Sequence, residues 1–222
     1  MTEKHVEQNE TLARVQGFWE RFQKPFLIVV AVIVIGGGGW YAYQAYIVKP
    51  KEEKAADAMF RAQQYFGMDS SSLVLNGDGQ NKGVLHVIKN FGGTKAANLA
   101  HYYAGVSYLK LGDFNNAVKH LKDFSTSAKQ IQLLAYGCLG DAYSELNKKE
   151  DAINSYQKAA TAFDQDESNS SEYLFRAALL SETTGKTKEA LDMYKELKEK
   201  FPKTDKGFQA DKYIYRLSIE KK

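Results

Sequence analysis

The sequence predicts an all-α protein, in which a single N-terminal transmembrane helix precedes an α-solenoid that ends in a C-terminal capping helix. Pro25 to Val48 is a run of 24 residues without Asp, Glu, Lys, Arg or His, in a chain of which 26% is charged. The rest of the chain repeats a residue pattern at intervals of 35 and 38 residues. We therefore expect a tail over residues 1–25, a span over 26–48 and a repeat domain over 49–222.

The composition excludes several classes of function. With 30 Lys and Arg against 27 Asp and Glu, the net charge of +3 is too small to indicate a nucleic-acid partner. The single cysteine, Cys138, cannot form an intrachain disulfide, and the 4 histidines lack the spacing of a zinc site. The Gly-rich segment Asn76 to Gly83 lacks the Gly-Lys-Ser/Thr of a phosphate-binding loop. We expect no cofactor, no metal, no catalytic site and no enzyme.

The apolar run has the length of a helix that crosses a bilayer. Residues 26–48 would rise roughly 34 Å as a helix, against a hydrocarbon core of about 30 Å. A buried core helix of this length is rare in so small a domain. A cleaved signal peptide is a second alternative, because Gly37 and Gly39 are spaced like a cleavage site; the preceding segment, however, is long and charge-balanced. Aromatic residues typical of headgroup depth follow the apolar core: Trp40, Tyr41, Tyr43 and Tyr46.

Orientation and packing of the span are less constrained by the sequence. Basic residues flank both ends in nearly equal number, so the positive-inside rule does not decide, whereas a short tail before a large domain favours a cytoplasmic N-terminus. Ala31, Gly38, Ala42 and Ala45 recur on one helix face, which would let a partner helix approach closely. The alternative is that Gly36 to Gly39 kinks the helix where it leaves the bilayer.

The repeat domain shows its periodicity in five registered positions. Gly105, Tyr108, Gly112, Ala117 and Leu121 stand at offsets 0, 3, 7, 12 and 16. The same offsets recur twice, at Gly140, Tyr143, Asn147, Ala152 and Tyr156, and at Ala178, Ser181, Gly185, Ala190 and Tyr194. Each copy predicts two amphipathic helices joined by a turn whose Gly or Asn takes the left-handed conformation.

This pattern resembles the tetratricopeptide repeat, which has a period of about 34 residues. The small residues at the first offset would let two helices pack closely, and Pro202 stands where that repeat places its terminal proline. Asn147 and Ser181 depart from the usual Gly and Tyr. The first predicted unit is a degenerate helix pair over 51–93, with a helix start at Pro50 and the loop Met68 to Asn81 between its two helices. Three repeats follow, over about 98–129, 133–164 and 171–202. A capping helix with a charged outer face is predicted over 205–219.

In such a solenoid the first helix of each pair lines the concave face, where exposed positions are free to bind a partner. The predicted partner-binding groove consists of Leu99, Tyr102, Val106, Leu109, Lys110, Asp141, Glu145, Phe175, Leu179 and Glu182. Its mixed apolar and acidic composition suits an extended or partly unfolded chain. A basic clamp for a terminal carboxylate is not expected, because Tyr102, Val106 and Glu172 occupy the corresponding positions. The alternative is that several of these side chains are buried between repeats.

The segments NLAHYYAGVSYLKLGDF, AYGCLGDAYSEL and DKYIYRL, combined with the short tail and the span, resemble the ancillary SecYEG translocon subunit family of bacterial inner membranes. The resemblance covers the chain from Trp19 onward and rests on the arrangement more than on one motif. It implies a single-pass inner-membrane protein with a periplasmic, chaperone-like repeat domain. The implied partners are Sec translocon subunits, a periplasmic prolyl isomerase-like chaperone and exported polypeptides, besides the lipid bilayer. The alternative is a membrane-tethered adapter for a cell-envelope complex or a stress regulator unrelated to export.

Overall fold

The computed structural model describes the backbone of residues 2–219 and the side chains of residues 18, 19 and 21–219. Over these residues the chain is α-helical, without any β-strand, so the predicted all-α class is confirmed. The helices are α1 (Thr2–Tyr43), α2 (Lys49–Gly67), α3 (Ser71–Asn76), α4 (Val84–Asn90), α5 (Lys95–Lys110), α6 (Phe114–Asp123), α7 (Lys129–Glu145), α8 (Lys149–Ala162), α9 (Glu167–Thr183), α10 (Thr187–Lys200) and α11 (Asp205–Ile219). The chain divides into two compact units, residues 1–51 and 52–222.

The first unit contains most of the apolar run within α1, which ends at Tyr43. Its side chains from Phe26 to Ile35 are all exposed, and the region is long and apolar enough to cross a membrane. A π-helical segment, Gln44–Val48, follows α1. The sequence places a helix start at Pro50; α2 begins at Lys49, but the residues before it are π-helical rather than non-helical. The regular i→i−4 backbone hydrogen bonds of an α-helix are already interrupted in that segment. The missing backbone N–H of Pro50 therefore destabilises the helix little at this position.

The predicted loop Met68 to Asn81 contains an additional short helix, α3. Its Val74 and Leu75 are buried in the core formed with α2, α4 and α5. The sequence interpretation of this segment as a loop without secondary structure is therefore wrong in this part. Burying two adjacent apolar side chains stabilises a helix too short to form alone.

Three helix pairs, α5 with α6, α7 with α8 and α9 with α10, form the repeats. Gly112, Asn147 and Gly185 have φ angles of 78°, 55° and 79°, which confirms the predicted left-handed residues between the paired helices. A methyl group at Gly105 would lie 2.5 Å from Leu121 Cγ, so only glycine permits this approach of α5 to α6. The predicted role of a small residue at the first registered position is thus confirmed.

Helix α11 packs against α10 and α9 through Ala210 and Leu217, which are buried. Its opposite face carries Phe208, Tyr215 and Ile219, all exposed. The prediction of a charged outer face is therefore wrong in part, because these apolar side chains share that face with charged ones. The 3.6-residue period places residues 208, 215 and 219 together, on the side opposite residues 210 and 217.

Candidate functional site

Helices α5, α7, α9 and α11 lie side by side, each in contact with the next. We call the surface formed on the first three by the predicted binding residues the inner groove. Its exposed members are Lys110, Glu145 and Leu179, its half-buried members are Leu99, Tyr102, Leu109, Asp141 and Glu182, and its buried members are Val106 and Phe175. The structure thus brings the predicted residues onto one row of helices, but Val106 and Phe175 offer little surface to a partner.

An aromatic cluster surrounds Tyr102 where the inner groove crosses α5. Its ring centroid lies 5.3 Å from that of Phe124, 5.9 Å from that of Tyr103 and 6.5 Å from that of Phe66. Burial raises the pKa of the Tyr102 hydroxyl to about 12, so the ring is neutral at physiological pH. The Lys110 ammonium lies 5.8 Å from the Phe66 ring and also pairs with Asp69. This part of the groove is aromatic with one basic side chain at its edge.

A charged network connects α7, α8 and α9. The Asp141 carboxylate accepts hydrogen bonds from the Tyr156 hydroxyl at 2.7 Å and from Arg176 Nη1 at 2.8 Å. Arg176 Nε also donates to Glu172 at 2.8 Å, and the Lys206 ammonium lies 3.3 Å from the same carboxylate. A tyrosine hydroxyl and an arginine thus occupy Asp141, and two basic side chains occupy Glu172. The acidic character expected from the sequence is therefore largely neutralised by neighbouring repeats.

The same neutralisation occurs between α9 and α11. Glu182 accepts a hydrogen bond from the Tyr194 hydroxyl at 3.1 Å and pairs with Arg216. Phe175 is covered by the Tyr213 ring, whose centroid is 5.1 Å away, and by the Lys206 ammonium at 4.5 Å. Of the predicted acids in the groove, Glu145 is exposed, at the end of α7.

The Tyr173 ring of α9 lies directly against α7 at Gly137. A methyl group at Gly137 would stand 2.0 Å from Tyr173 Cζ, so the ring occupies the space of the missing side chain. The ring also stacks with Tyr156, with centroids 6.1 Å apart. Beside it, burial raises the pKa of the Cys138 thiol to about 12, which makes this thiol unreactive at neutral pH.

Sequence reasoning missed the bases that neutralise the groove, namely Arg176, Lys206 and Arg216. A signal for them existed in the repeat period. Three cross-repeat ion pairs join residues about one period apart: Asp141 with Arg176 at 35 residues, Glu150 with Lys186 at 36, and Glu182 with Arg216 at 34. Opposite charges at that interval would have indicated paired rather than free carboxylates.

A histidine pair lies between α5 and α6. His101 Nδ1 and His120 Nδ1 are 3.1 Å apart, and the Tyr108 ring stacks on His120 with centroids 5.5 Å apart. Burial, then the neighbouring His101 and Lys119, lower the pKa of His120 to about 4. Among the described residues, no group of three or more His, Cys, Asp or Glu side chains is arranged to hold a metal ion.

Residues 16–136 match the tetratricopeptide repeat-like domain family. The chain belongs to this family. Two further matches to tetratricopeptide repeats cover residues 134–166 and 172–204, so together the three matches extend from α1 to the residue directly before α11. The first match includes the apolar run as well as the first repeat. No curated protein shows significant sequence similarity to the chain.

The matched families consist of protein-interaction repeats, and no catalytic family is among them. Tetratricopeptide repeats bind other proteins with the surface that their stacked helices present. The inner groove lies on the stacked helices α5, α7 and α9. The chain is therefore an interaction scaffold that carries one helix able to cross a membrane by length and composition.

Proposed function

We propose that the chain is a membrane-anchored scaffold of the bacterial inner membrane, an accessory subunit of the Sec translocon whose repeat domain is periplasmic. The observation that supports it best is the combination of a fully exposed apolar helix with tetratricopeptide repeats in one family match. No described residue buries the side chains from Phe26 to Ile35, whereas the hydrocarbon core of a lipid bilayer would bury them. The resemblance of the repeat segments to the translocon family supports the choice of partner.

The inner groove supports binding of an extended or partly unfolded chain. Tyr102, Leu109 and Leu179 offer apolar surface, while Asp141 and Glu182 are already paired, so a ligand would meet a nearly neutral surface. Such a surface favours apolar and aromatic side chains over a terminal carboxylate. Translocon subunits, a prolyl isomerase-like chaperone and emerging exported polypeptides are the partners we propose.

Photo-crosslinking tests the partner. A crosslinker at Leu109 or Leu179 should capture Sec subunits or nascent exported protein. Capture of a single regulator or of a cell-envelope complex instead would favour the adapter alternative, and capture of unrelated cytosolic proteins would contradict both. Copurification in mild detergent with abundant SecY is the matching measurement without a label.

Two exposed leucines, one inside and one outside the inner groove, allow a matched test of the groove as the binding surface. Leu179 is 39% exposed within the inner groove, and Leu111 is 53% exposed at the turn after α5. Leu179→Glu should reduce partner capture about tenfold or more, as expected for a charge placed in an apolar contact. Leu111→Glu adds the same charge outside the groove and should leave capture unchanged. Equal loss from both variants would remove the inner groove as the binding surface.

The orientation has its own test. An alkaline phosphatase fused after residue 222 is active only when exported, so the proposed topology predicts activity. An inactive but stable fusion would place the repeat domain in the cytoplasm and would contradict the translocon assignment.

A further inference from the structure

A cavity of about 490 Å³ opens between α2 and α5, within the second unit. Met59, which is 1% exposed, lies at its base, and Ala56, Ala96 and Leu99 line its sides. Pockets that hold a ligand group measure about 300–1,000 Å³ and combine mostly apolar walls with a few polar groups. The cavity therefore has the size and the lining of a binding pocket.

The cavity exists because the first repeat has a small residue where the second repeat has a large one. Ala96 stands nine positions before Gly105, and Ile131 stands nine positions before Gly140. Ile131 packs against the hydrophobic cluster between α6 and α7. Ala96 leaves open the space beside α2 that a side chain of that size would fill. A side chain of a ligand can occupy this space instead.

The cavity is continuous with the inner groove. Leu99 belongs to both, and Tyr102, three residues further along α5, lies on the same side of that helix. The Tyr102 ring in turn contacts Phe66 of α2, with centroids 6.5 Å apart. A polypeptide that lies along the inner groove can therefore place a side chain in the cavity without leaving the surface of α5.

The rim of the cavity carries two carboxylates and one ammonium group, from Glu52, Glu53 and Lys95. Both Glu52 oxygens accept the backbone N–H of Lys95, at 3.0 and 3.1 Å, which holds this carboxylate at the junction of the two helices. Glu53 is exposed and forms no ion pair with the described part of the chain. The rim is therefore net negative and complementary to a basic side chain.

We propose that this cavity is an anchor pocket for an apolar side chain of an extended polypeptide that carries Lys or Arg one or two residues away. The apolar side chain enters between Ala56 and Ala96 and rests on Met59, whose flexible thioether adapts to side chains of different shape. The basic side chain pairs with Glu53 at the rim. This inference rests on the proposed function, because its ligand is the polypeptide proposed for the inner groove. It adds an apolar and basic pair as the feature that is recognised.

Fluorescence anisotropy with the full chain in detergent tests this preference. The two probes are short dye-labelled peptides of Gly and Ser with a central Phe-Leu pair, which is flanked on both sides by Lys in one peptide and by Glu in the other. The wild type should bind the Lys peptide about fivefold or more tightly, and added salt should reduce the difference. Glu53→Lys should remove the preference. Glu199→Lys makes the same charge change at an exposed position of α10 and should retain it.

Filling the anchor pocket tests its position. Ala96→Leu from α5 and, separately, Ala56→Leu from α2 should each weaken binding of the Lys peptide about tenfold, because the new side chain takes the place of the ligand's. Unchanged midpoints in urea unfolding would show that both variants keep the fold. Ala128→Leu adds the same side chain at an exposed position before α7 and should leave the affinity unchanged.

The outcomes separate the anchor pocket from the proposed function. Binding of the Lys peptide that Leu179→Glu weakens but neither filling variant affects would overturn the pocket and leave the inner groove as the binding surface. Equal affinity for the two peptides, or a wild type that binds neither, would also overturn it. So would a filling variant that alters sedimentation of the chain alone without altering peptide binding, which would assign the cavity to a second copy. Loss of peptide binding in the filling variants, without capture of exported protein by photo-crosslinking, would support the pocket and contradict the proposed function.

Discussion

Arg176 Nη1 lies 2.8 Å from the Asp141 carboxylate, so that a charged hydrogen bond joins α9 to α7 across the inner groove. Both side chains are partly exposed, and solvent screening limits what the pair contributes. A double-mutant cycle with Arg176→Met and Asp141→Asn should therefore give a coupling free energy of about 0.5–1 kcal/mol, measured by urea unfolding of the chain in detergent. The comparison cycle uses the pair Lys200 and Glu196 within α10, for which the smaller coupling of an i,i+4 helix pair, about 0.3–0.5 kcal/mol, is expected. A coupling of zero between Arg176 and Asp141 would show that this pair does not join the repeats energetically.

Gly137→Ala should destabilise the repeat domain, because the added methyl group would stand 2.0 Å from Tyr173 Cζ. Overpacking of this kind costs about 1–3 kcal/mol, seen as a lower midpoint in urea unfolding. The second substitution Tyr173→Leu removes the ring atom in conflict and should recover part of the loss. Gly67→Ala is the matched control, since nothing lies within 4 Å of the new methyl group there. A loss at Gly137 that Tyr173→Leu leaves untouched would point to a backbone effect instead.

The free energy of unfolding should rise with pH between about 4 and 6.5. Burial lowers the pKa of His120 to about 4, whereas an unfolded histidine has a pKa near 6.5. Between these values the unfolded chain binds a proton that the folded chain does not, so acid favours unfolding. His101 shifts in the same direction through burial, opposed by Asp123 at 3.9 Å.

His120→Gln should flatten this pH dependence, by up to about 1.4 kcal/mol per pH unit for the one proton removed. His86→Gln changes an exposed histidine of α4 and should leave the slope as in the wild type. Denaturation midpoints measured at half-unit pH steps give both slopes. Identical slopes for the wild type and His120→Gln would exclude this histidine as the source.

Two charges in the apolar run should release the chain from membranes. Val34→Asp combined with Ile35→Asp adds two carboxylates near the middle of the span, each at a cost of about 2.5–3.5 kcal/mol for insertion. The wild type should pellet with membranes after carbonate extraction, and the double variant should appear in the supernatant. Leu73→Asp with Leu111→Asp adds the same charge to exposed positions of the second unit and should pellet. If the Val34 and Ile35 variant stays in the membrane pellet, the apolar run is not what anchors the chain in the membrane.

The sequence predicted what depends on short-range spacing. The offsets that contain Gly105, Gly112 and Asn147 specify close helix contacts and left-handed turn residues, and these are local requirements. The π-helical segment before Pro50 and the helix around Val74 were not predictable from periodicity, because each depends on a few residues and on the surrounding fold.

The character of the inner groove depends on contacts between repeats. The sequence predicts that Asp141 lies in the groove, but its neutralisation requires Arg176 to approach from the next repeat and Tyr156 from α8. The register of its own repeat likewise predicts an exposed Phe175, but in the structure the Tyr213 ring of α11 covers it. The sequence of one repeat therefore predicts where a side chain lies, whereas contacts with the following helices decide whether that side chain is accessible to a partner.

The half-buried thiol of Cys138 gives the chain a native reporter of local opening. Burial raises the pKa of this thiol to about 12, so it is almost entirely protonated at neutral pH. Since the chain has 1 cysteine, any alkylation of the protein with a maleimide occurs at this atom. The labelling rate therefore reports the accessibility of Cys138 on α7, and a ligand that covers this part of the inner groove would slow labelling without any engineered probe.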